Sequence, residues 1–294
     1  MFDDTEVATS LATPIGHEVS FAVAGYKYVE PGDTSISIHG PKFGGGYTGT
    51  MSLDPARHVF LQAEARGLAG RTTYDGWCAP FLITPDNRSP NGYALDLGDY
   101  SPCTEGGASD WYLEGRALIG RDFVGRMWGW SPGIGLGIRH LSNGTTGNAG
   151  YRTDDYVYLP VGVTARTAVA AHQTLSVTLE YDRLLHGWQR TRDSKLGGGD
   201  VPATPTAPAF TIEGFSDIAF DQHSGWAARA SAKYQVTRRW SLEPEYVHWK
   251  VSDSPVAYEV ATFTVNGITA QQPFGAYEPL NMTDEFVLRL GLRF

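Results

Sequence analysis

The chain has 294 residues, with 23 basic against 32 acidic side chains and a formal net charge of −9. That acidic excess argues against a nucleic-acid partner, because holding phosphates takes a basic face. No run of about 18 apolar residues exists, so a membrane-spanning helix is excluded, but a membrane-spanning barrel would dilute every lipid-facing residue with a polar lumen residue and pass unnoticed by bulk hydropathy.

Period-two alternation predicts about ten strands. The first, near His17 to Glu30, sets Val19, Phe21 and Val23 against Glu18, Ser20 and Ala22, and ends at a Pro31-Gly32-Asp33 turn. The second, around Ile36 to Ser52, has its alternation broken by Gly40-Pro41 and by Gly44 to Gly46. A short Asp54-Pro55-Ala56-Arg57 turn leads to the third, with Val59, Leu61, Ala63 and Ala65 opposing Gln62, Glu64 and Arg66. A polar stretch from Asp75 to Ser109, carrying Cys78 and Cys103, reads as a long loop; in an oxidising compartment the two cysteines would close a disulfide across it, and two buried free thiols are the alternative.

The fourth strand turns Trp111, Leu113, Gly115, Ala117 and Ile119 outward and Glu114 and Arg116 inward. The fifth, after Trp128-Gly129-Trp130, sets Ile134, Leu136 and Ile138 against Gly133, Gly135, Gly137 and Arg139. The sixth opposes Val157, Leu159, Val161 and Val163 to Tyr156, Tyr158 and Thr164, and the seventh opposes Leu175, Val177, Leu179 and Tyr181 to Ser176, Thr178, Glu180 and Asp182. A second long polar segment, Arg192 to His223, precedes the eighth strand, where Trp226, Ala228, Ala230 and Ala232 face away from Arg229, Ser231 and Lys233. The ninth runs from Trp240 to about Val251 with Glu243 and Glu245 on one face, and a third long loop spans Asn266 to Pro279.

The last strand is the most regular. Phe286, Leu288, Leu290, Leu292 and Phe294 fall on one face, and Glu285, Val287, Arg289, Gly291 and Arg293 on the other. Short turns (Asp54–Arg57, Ala170–His172, Val236–Arg238) alternate with long connections. Together these predict a closed antiparallel transmembrane β-barrel of about ten strands, all-β, spanning residues 1–294 as a single domain, with long outer loops and short periplasmic turns. Pro160 and Pro244 lie inside strands of a sheet without edges, so bulges or displaced strand ends are expected there. Met1 is followed by Phe-Asp-Asp-Thr-Glu, neither basic nor apolar, as expected of a processed mature chain rather than a signal peptide.

The inward positions collect Glu18, Glu64, Glu114, Glu180, Asp182, Glu243, Glu245 and Glu285 against Arg66, Arg116, Arg139, Arg229, Lys233, Arg289 and Arg293. Near-balanced charge inside a narrow barrel predicts a cross-linked ionic interior, with an ion pathway as the alternative. Five tryptophans, Trp111, Trp128, Trp130, Trp226 and Trp240, sit near strand ends as an interfacial belt would place them.

Strand count, loop alternation and length resemble the ten-stranded omptin architecture of surface proteases. The segments Ser224 to Lys250 and Tyr277-Glu278-Pro279 through Phe294 resemble a group of uncharacterised Gram-negative outer-membrane barrels, and the terminal Phe294 resembles the mark by which such barrels are recognised for insertion. These resemblances imply a bacterial outer-membrane location with loops at the cell surface. They also imply outer-membrane lipid and lipopolysaccharide as surroundings, the barrel-assembly machinery as a partner, and an unknown protein partner met through the outer loops. Omptins pair Asp-His with Asp-Asp across the barrel mouth; Asp221-Gln222-His223 has the first spacing, while Asp96 and Asp99 supply no clear counterpart.

His140-Leu141-Ser142-Asn143 is similar to the active strand of outer-membrane phospholipase A and of the lipid A deacylase PagL. The resemblance implies Ser142 as nucleophile, His140 as base and, twelve positions after the serine, Asp154 as the orienting acid. Outward parity of His140 and Ser142 suits a lipid substrate, whereas Asp154 has inward parity and Asp155 outward. If Asn143-Gly144 formed a hairpin turn, the strand would end there and the site would vanish. The eight histidines are dispersed and neither cysteine has a ligand-spaced partner, so no metal site and no cofactor are expected; Asp154 with Asp155, or Asp96 with Asp99, could at most touch a surface calcium ion. The first functional reading is a narrow channel or a surface binding scaffold; a lipid-acyl hydrolase and an omptin-like protease are the alternatives.

Overall fold

A computed structural model of the protein describes residues 11–32, 35–56, 58–144, 151–170 and 172–294. The chain forms β1 (Gly16–Glu30), β2 (Ile36–Ser52), β3 (Val59–Cys78), β4 (Phe81–Pro85), β5 (Tyr93–Leu97), β6 (Ser101–Arg121), β7 (Phe123–Val124), β8 (Trp128–Asn143) and β9 (Tyr151–Ala170). It continues with β10 (Gln173–Arg192), β11 (Gly199–Val201), β12 (Phe210–Phe215), β13 (Ile218–Gln222), β14 (Gly225–Gln235), β15 (Trp240–Val251), β16 (Ala257–Val265), β17 (Ile268–Ala276) and β18 (Asn281–Arg293).

Ten of these strands close a wall in the order β1-β2-β3-β6-β8-β9-β10-β14-β15-β18, and β18 pairs back onto β1. Every pairing is antiparallel. The seam runs from Glu18↔Arg293 to Val29↔Met282, so the last strand and the first complete each other's hydrogen bonds and leave no edge. An even strand number puts both ends of the wall on the same rim, with the short turns.

The alternation read from the sequence holds around the wall. Phe21, Leu113, Ile138, Leu179, Phe286 and Leu290 are exposed, while Ala22, Tyr112, Arg139, Asp182, Arg229 and Glu285 are buried. The exterior is therefore the apolar face and the interior the polar one, the inverse of a water-soluble barrel, and the arrangement that hydrocarbon outside and polar contacts inside demand. Among the tryptophans expected at strand ends, Trp128, Trp130 and Trp240 are exposed near the short-turn rim.

β2 keeps its pairing through the glycines. A Cβ at Gly44 would collide with the Gly67 carbonyl of β3, so close backbone approach, rather than a strand break, accounts for the lost alternation. Neither interior proline carries a bulge, contrary to expectation. At Pro244 the β14–β15 ladder passes from Ser231↔Glu245 to Tyr234↔Leu242 without changing register, and at Pro160 the β8–β9 ladder passes from Ile134↔Val161 to Gly137↔Tyr158 likewise. Each proline lacks an N–H, and the ladder skips two pairs instead of shifting. The one irregularity nearby is in β10, between Leu184 and His186.

The segments expected to be loops are largely β-structure. The wall strands β3 and β6 run through Asp75 to Cys78 and from Ser101 onward, joined by the β4–β5 hairpin and by a Cys78–Cys103 disulfide. The 192–223 segment supplies β11, β12 and β13, and the Asn266–Pro279 segment supplies β17, entered through a tight turn with positive φ at Asn266 (50°) and Gly267 (78°). β11, β12, β16 and β17 form a separate four-stranded sheet. These strands are three to nine residues long and are set among Gly, Pro, Ser and Thr, so their period is too brief to stand out and they read as loop. Asn143 stays within β8, paired with Asp110 and Arg152, so Asn143-Gly144 is not the hairpin turn. Of the expected turn residues, Asp33, Arg57 and Ala171 lie outside the described residues, as do positions 145–148 after Gly144.

Candidate functional site

All fifteen expected lumen charges face inward, and most are tied in one lattice. Arg66 donates to Glu114 at 2.6 Å and to Glu245 at 2.7 Å. Arg229 bonds Glu114 and reaches Asp182 at 2.6 Å, and Arg116 bonds Glu64 at 2.6 Å and also Glu180. Arg289 pairs with Glu245, and Lys233 with Glu18. Glu285 accepts from Tyr112 at 3.0 Å, and Arg139, without a carboxylate hydrogen bond among the described residues, lies over the Tyr112 ring at 4.5 Å. Glu18, Glu114, Glu180 and Glu245 each meet two cations, which is what keeps so many buried charges tolerable.

Sequence reading missed the next storey. Lys42, fully buried, pairs with Asp110 at 2.7 Å and lies 3.2 Å from the centre of the Tyr26 ring. Trp249 packs edge-on to Tyr158, at 5.2 Å between ring centres. Leu68, Leu141, Leu184, Val251 and Val287 join Tyr112 and Tyr156 in an apolar cluster inside the barrel. Lys42 sits in the glycine-broken strand and Asp110 one residue before the strand's expected start, so only their even parity could have found them.

Two further groups lie toward the rims. At the short-turn end Leu11 is fully buried, and Thr13 donates to Asp122 through its N–H (2.8 Å) and its hydroxyl (2.6 Å). A cavity of about 190 Å³ lies between this segment and the charge lattice, reaching Glu64, Arg116 and Arg293. At the other end Arg152 joins Glu30 (3.1 Å) and Glu278 (3.0 Å), both also bonded by Tyr28. Burial raises the Glu278 carboxyl above the ordinary carboxylate range, against the pull of Arg152.

On the outer wall His140 Nδ1 lies 2.6 Å from the Asp155 carboxylate, cross-strand between β8 and β9. Ser142 follows two positions on, on the same face, opposite Thr153 and Trp111. Asp154 is buried on the inner face, beside Tyr156 and Arg139 in a small internal cavity. The acid that meets His140 is thus Asp155, because adjacent strand residues point to opposite sides. A carboxylate on Nδ1 leaves Nε2 free to accept a serine proton.

The same contact recurs elsewhere, however. His39–Asp75 (3.6 Å), His186–Asp221 (3.4 Å) and His248–Asp284 (2.8 Å) are also outward cross-strand pairs toward the long-connection end. Positions two after these histidines are Pro41, Trp188 and Lys250, so among the four pairs the one at His140 has a serine beside it. Asp221 and His223, the omptin-type pair, are exposed, and Asp221 binds His186 on the outer wall instead of facing across the mouth. Asp96 and Asp99 are exposed as well, Asp96 in the β4–β5 hairpin. No group of three or more metal-ligating side chains occurs among the described residues.

No known family model matches the sequence, and no curated protein matches it. Solved structures do. The outer membrane protease OmpT from Escherichia coli superposes with a TM-score of 0.53 at 9% identity, over 96% of this chain and 98% of that one. The translocator domain of the autotransporter NalP from Neisseria meningitidis (12% identity, 96% and 90% covered) and a deletion mutant of the TodX monoaromatic hydrocarbon channel (9%, 96% and 91%) score 0.36 each. At this identity the OmpT likeness shows the fold, a closed outer-membrane-type barrel of ten antiparallel strands.

Proposed function

We propose that the protein is a non-conducting outer-membrane barrel that serves as a surface binding scaffold, with the sheet at the long-connection end as its contact element. The observation that carries this reading is the filled lumen. The Glu114–Arg229–Asp182 and Arg66–Glu245–Arg289 contacts span it from several strands, and the Tyr112–Tyr156–Trp249 storey lies above them. An ion crossing it would have to break several buried pairs at once.

The scaffold half of the reading rests on the loops. They build their own apolar core from Phe210, Ile212, Phe263 and Val265 with Ile83 and Leu95 of the hairpin, and still expose Val256, Tyr258, Ile268 and Tyr277. Those side chains lie outside the wall's apolar band, where water would surround them unless a partner covered them. The apolar wall and the terminal Phe294 favour the outer membrane, with lipid and lipopolysaccharide around the band, assembly by the barrel machinery, and the loops at the cell surface meeting a protein partner. In planar bilayers the purified barrel is expected to stay silent; steady conductance that changes when Arg229 is replaced by Gln would overturn the sealed reading. Cleavage of the 197–209 segment by protease added to intact cells checks the orientation.

One observation favours a second reading, a lipid-acyl hydrolase: the Asp155–His140 contact beside Ser142 on the lipid-facing wall. In that chemistry Ser142 attacks the acyl carbonyl while His140 takes its proton and Asp155 steadies the imidazolium; the ester bond breaks, the alcohol leaves with the proton from His140, and water then frees the acyl group from the serine as a fatty acid. Acyl release from phospholipid or lipopolysaccharide that falls at least a hundredfold in Ser142→Ala would support it. Equal release by both proteins, or none by either, ends it.

A further inference from the structure

Where β3 and β6 rise above the apolar band, the β4–β5 hairpin leans over their inner face and leaves a cavity of about 220 Å³. Its lining is graded. Thr72 and Ala108, both buried, form the floor with Asn143, whose amide donates to Asp110 at 2.8 Å. Tyr74, Trp77 and Phe81 are the walls, and the exposed Leu97 and Tyr100 the rim. The disulfide between Cys78 and Cys103 fixes the strand ends from which Trp77 and the hairpin project. Phe81 also packs against Phe215 of the loop sheet, at 5.3 Å between ring centres, whereas Tyr74 and Trp77 belong to neither the charge lattice nor the loop-sheet core.

We infer that this cavity is a binding site for an uncharged monocyclic aromatic molecule bearing one small polar group, of the phenol class. Size sets the first limit. Apolar cavities of about 150 Å³ admit benzene, so this one takes a ring with one or two substituents. The walls set the second, since aromatic side chains on several sides offer offset and edge-on contacts to a ring. The floor sets the third: Thr72 and Asn143 are polar but uncharged, and a hydroxyl reaching them keeps a hydrogen bond on leaving water. Charge sets the fourth. Glu105 lies on the lining, so an entering carboxylate would meet a charge of its own sign.

The site is independent of the scaffold and hydrolase readings, and neither conductance nor acyl release bears on it. The test is isothermal titration of p-cresol into the barrel in nanodiscs, referenced to empty nanodiscs, with benzoate as the charged comparison. Saturable binding of about one p-cresol per chain is expected, with benzoate at least tenfold weaker. Ala108→Phe, which fills the floor, should weaken p-cresol at least tenfold. Tyr100→Ala, at the exposed rim where folding is not at stake, should weaken it by about threefold. Absence of saturable binding overturns the assignment, as do undiminished binding by both variants that keep the folded, heat-modifiable gel band, or benzoate binding as tight as p-cresol.

Discussion

The wall and the loop sheet are built from the same element with opposite insides. In the wall, β15 points Glu243 and Glu245 into the interior and Leu242 and Tyr246 outward. One connection later, β16 points Ala261, Phe263 and Val265 inward, with Thr262 and Thr264 on the alternate positions. Nothing in the backbone distinguishes the two strands. What differs is the surroundings: hydrocarbon takes the apolar face outward and leaves polar groups to satisfy one another inside, while water drives the apolar face into a core. A single chain changes solvent within a few residues after Val251, and the pattern inverts there.

That contrast can be broken at four points. Removing one charge from the lattice should cost most. Glu114→Gln strands Arg66 and Arg229 without full partners, and breaking a buried pair costs about 3–5 kcal/mol; reversible urea unfolding in detergent measures it, and a cost under about 1 kcal/mol would mean that the lumen is watered rather than sealed. The mirror experiment places a charge on the outer band. Leu288→Arg should cost about 2–4 kcal/mol in a bilayer, the price of a lipid-facing cation near mid-depth, and a neutral outcome would mean that something other than hydrocarbon touches that face.

In the loop sheet the ordinary rules of a soluble core apply. Ile212→Val should cost about 1 kcal/mol and speed protease cleavage of the loops, while the wall's heat-modifiable gel shift stays unchanged. The smallest effect is a pH slope. Burial, with the Asp193 carboxylate beside it, lifts the Glu259 carboxyl to about 7. Between the ordinary carboxylate value and that point the folded sheet holds more protons than the unfolded one, so its stability falls as pH rises through the window. Amide exchange in Thr262 to Val265 should quicken from pH 5 to pH 8 beyond the intrinsic rate, and Glu259→Gln should flatten that excess.

The legible parts of the sequence were those where one side of a strand meets hydrocarbon. β18 and β8 announced their facing residues because a lipid face tolerates few polar side chains, and the fifteen inward charges followed from parity alone. Asp155, in contrast, took the place beside His140 that the resemblance implied for Asp154, since spacing along a chain does not say which neighbour lies across a ladder. The apolar cavity under the hairpin was invisible for a related reason. Trp77, Phe81, Leu97 and Tyr100 belong to a stretch that reads as polar loop, and they converge only when the hairpin folds back over the wall.

Residue order by itself determined the barrel class and the facing of nearly every wall residue, because period two and charge parity are local properties. Tertiary structure alone decided which carboxylate meets which guanidinium, that Lys42 and Asp110 pair beside the Tyr26 ring, that the two cysteines are bonded, and that the polar loops condense into a sheet with its own core. Those outcomes depend on strands distant in sequence arriving side by side, and register between strands is set by the closed wall as a whole rather than by any one segment.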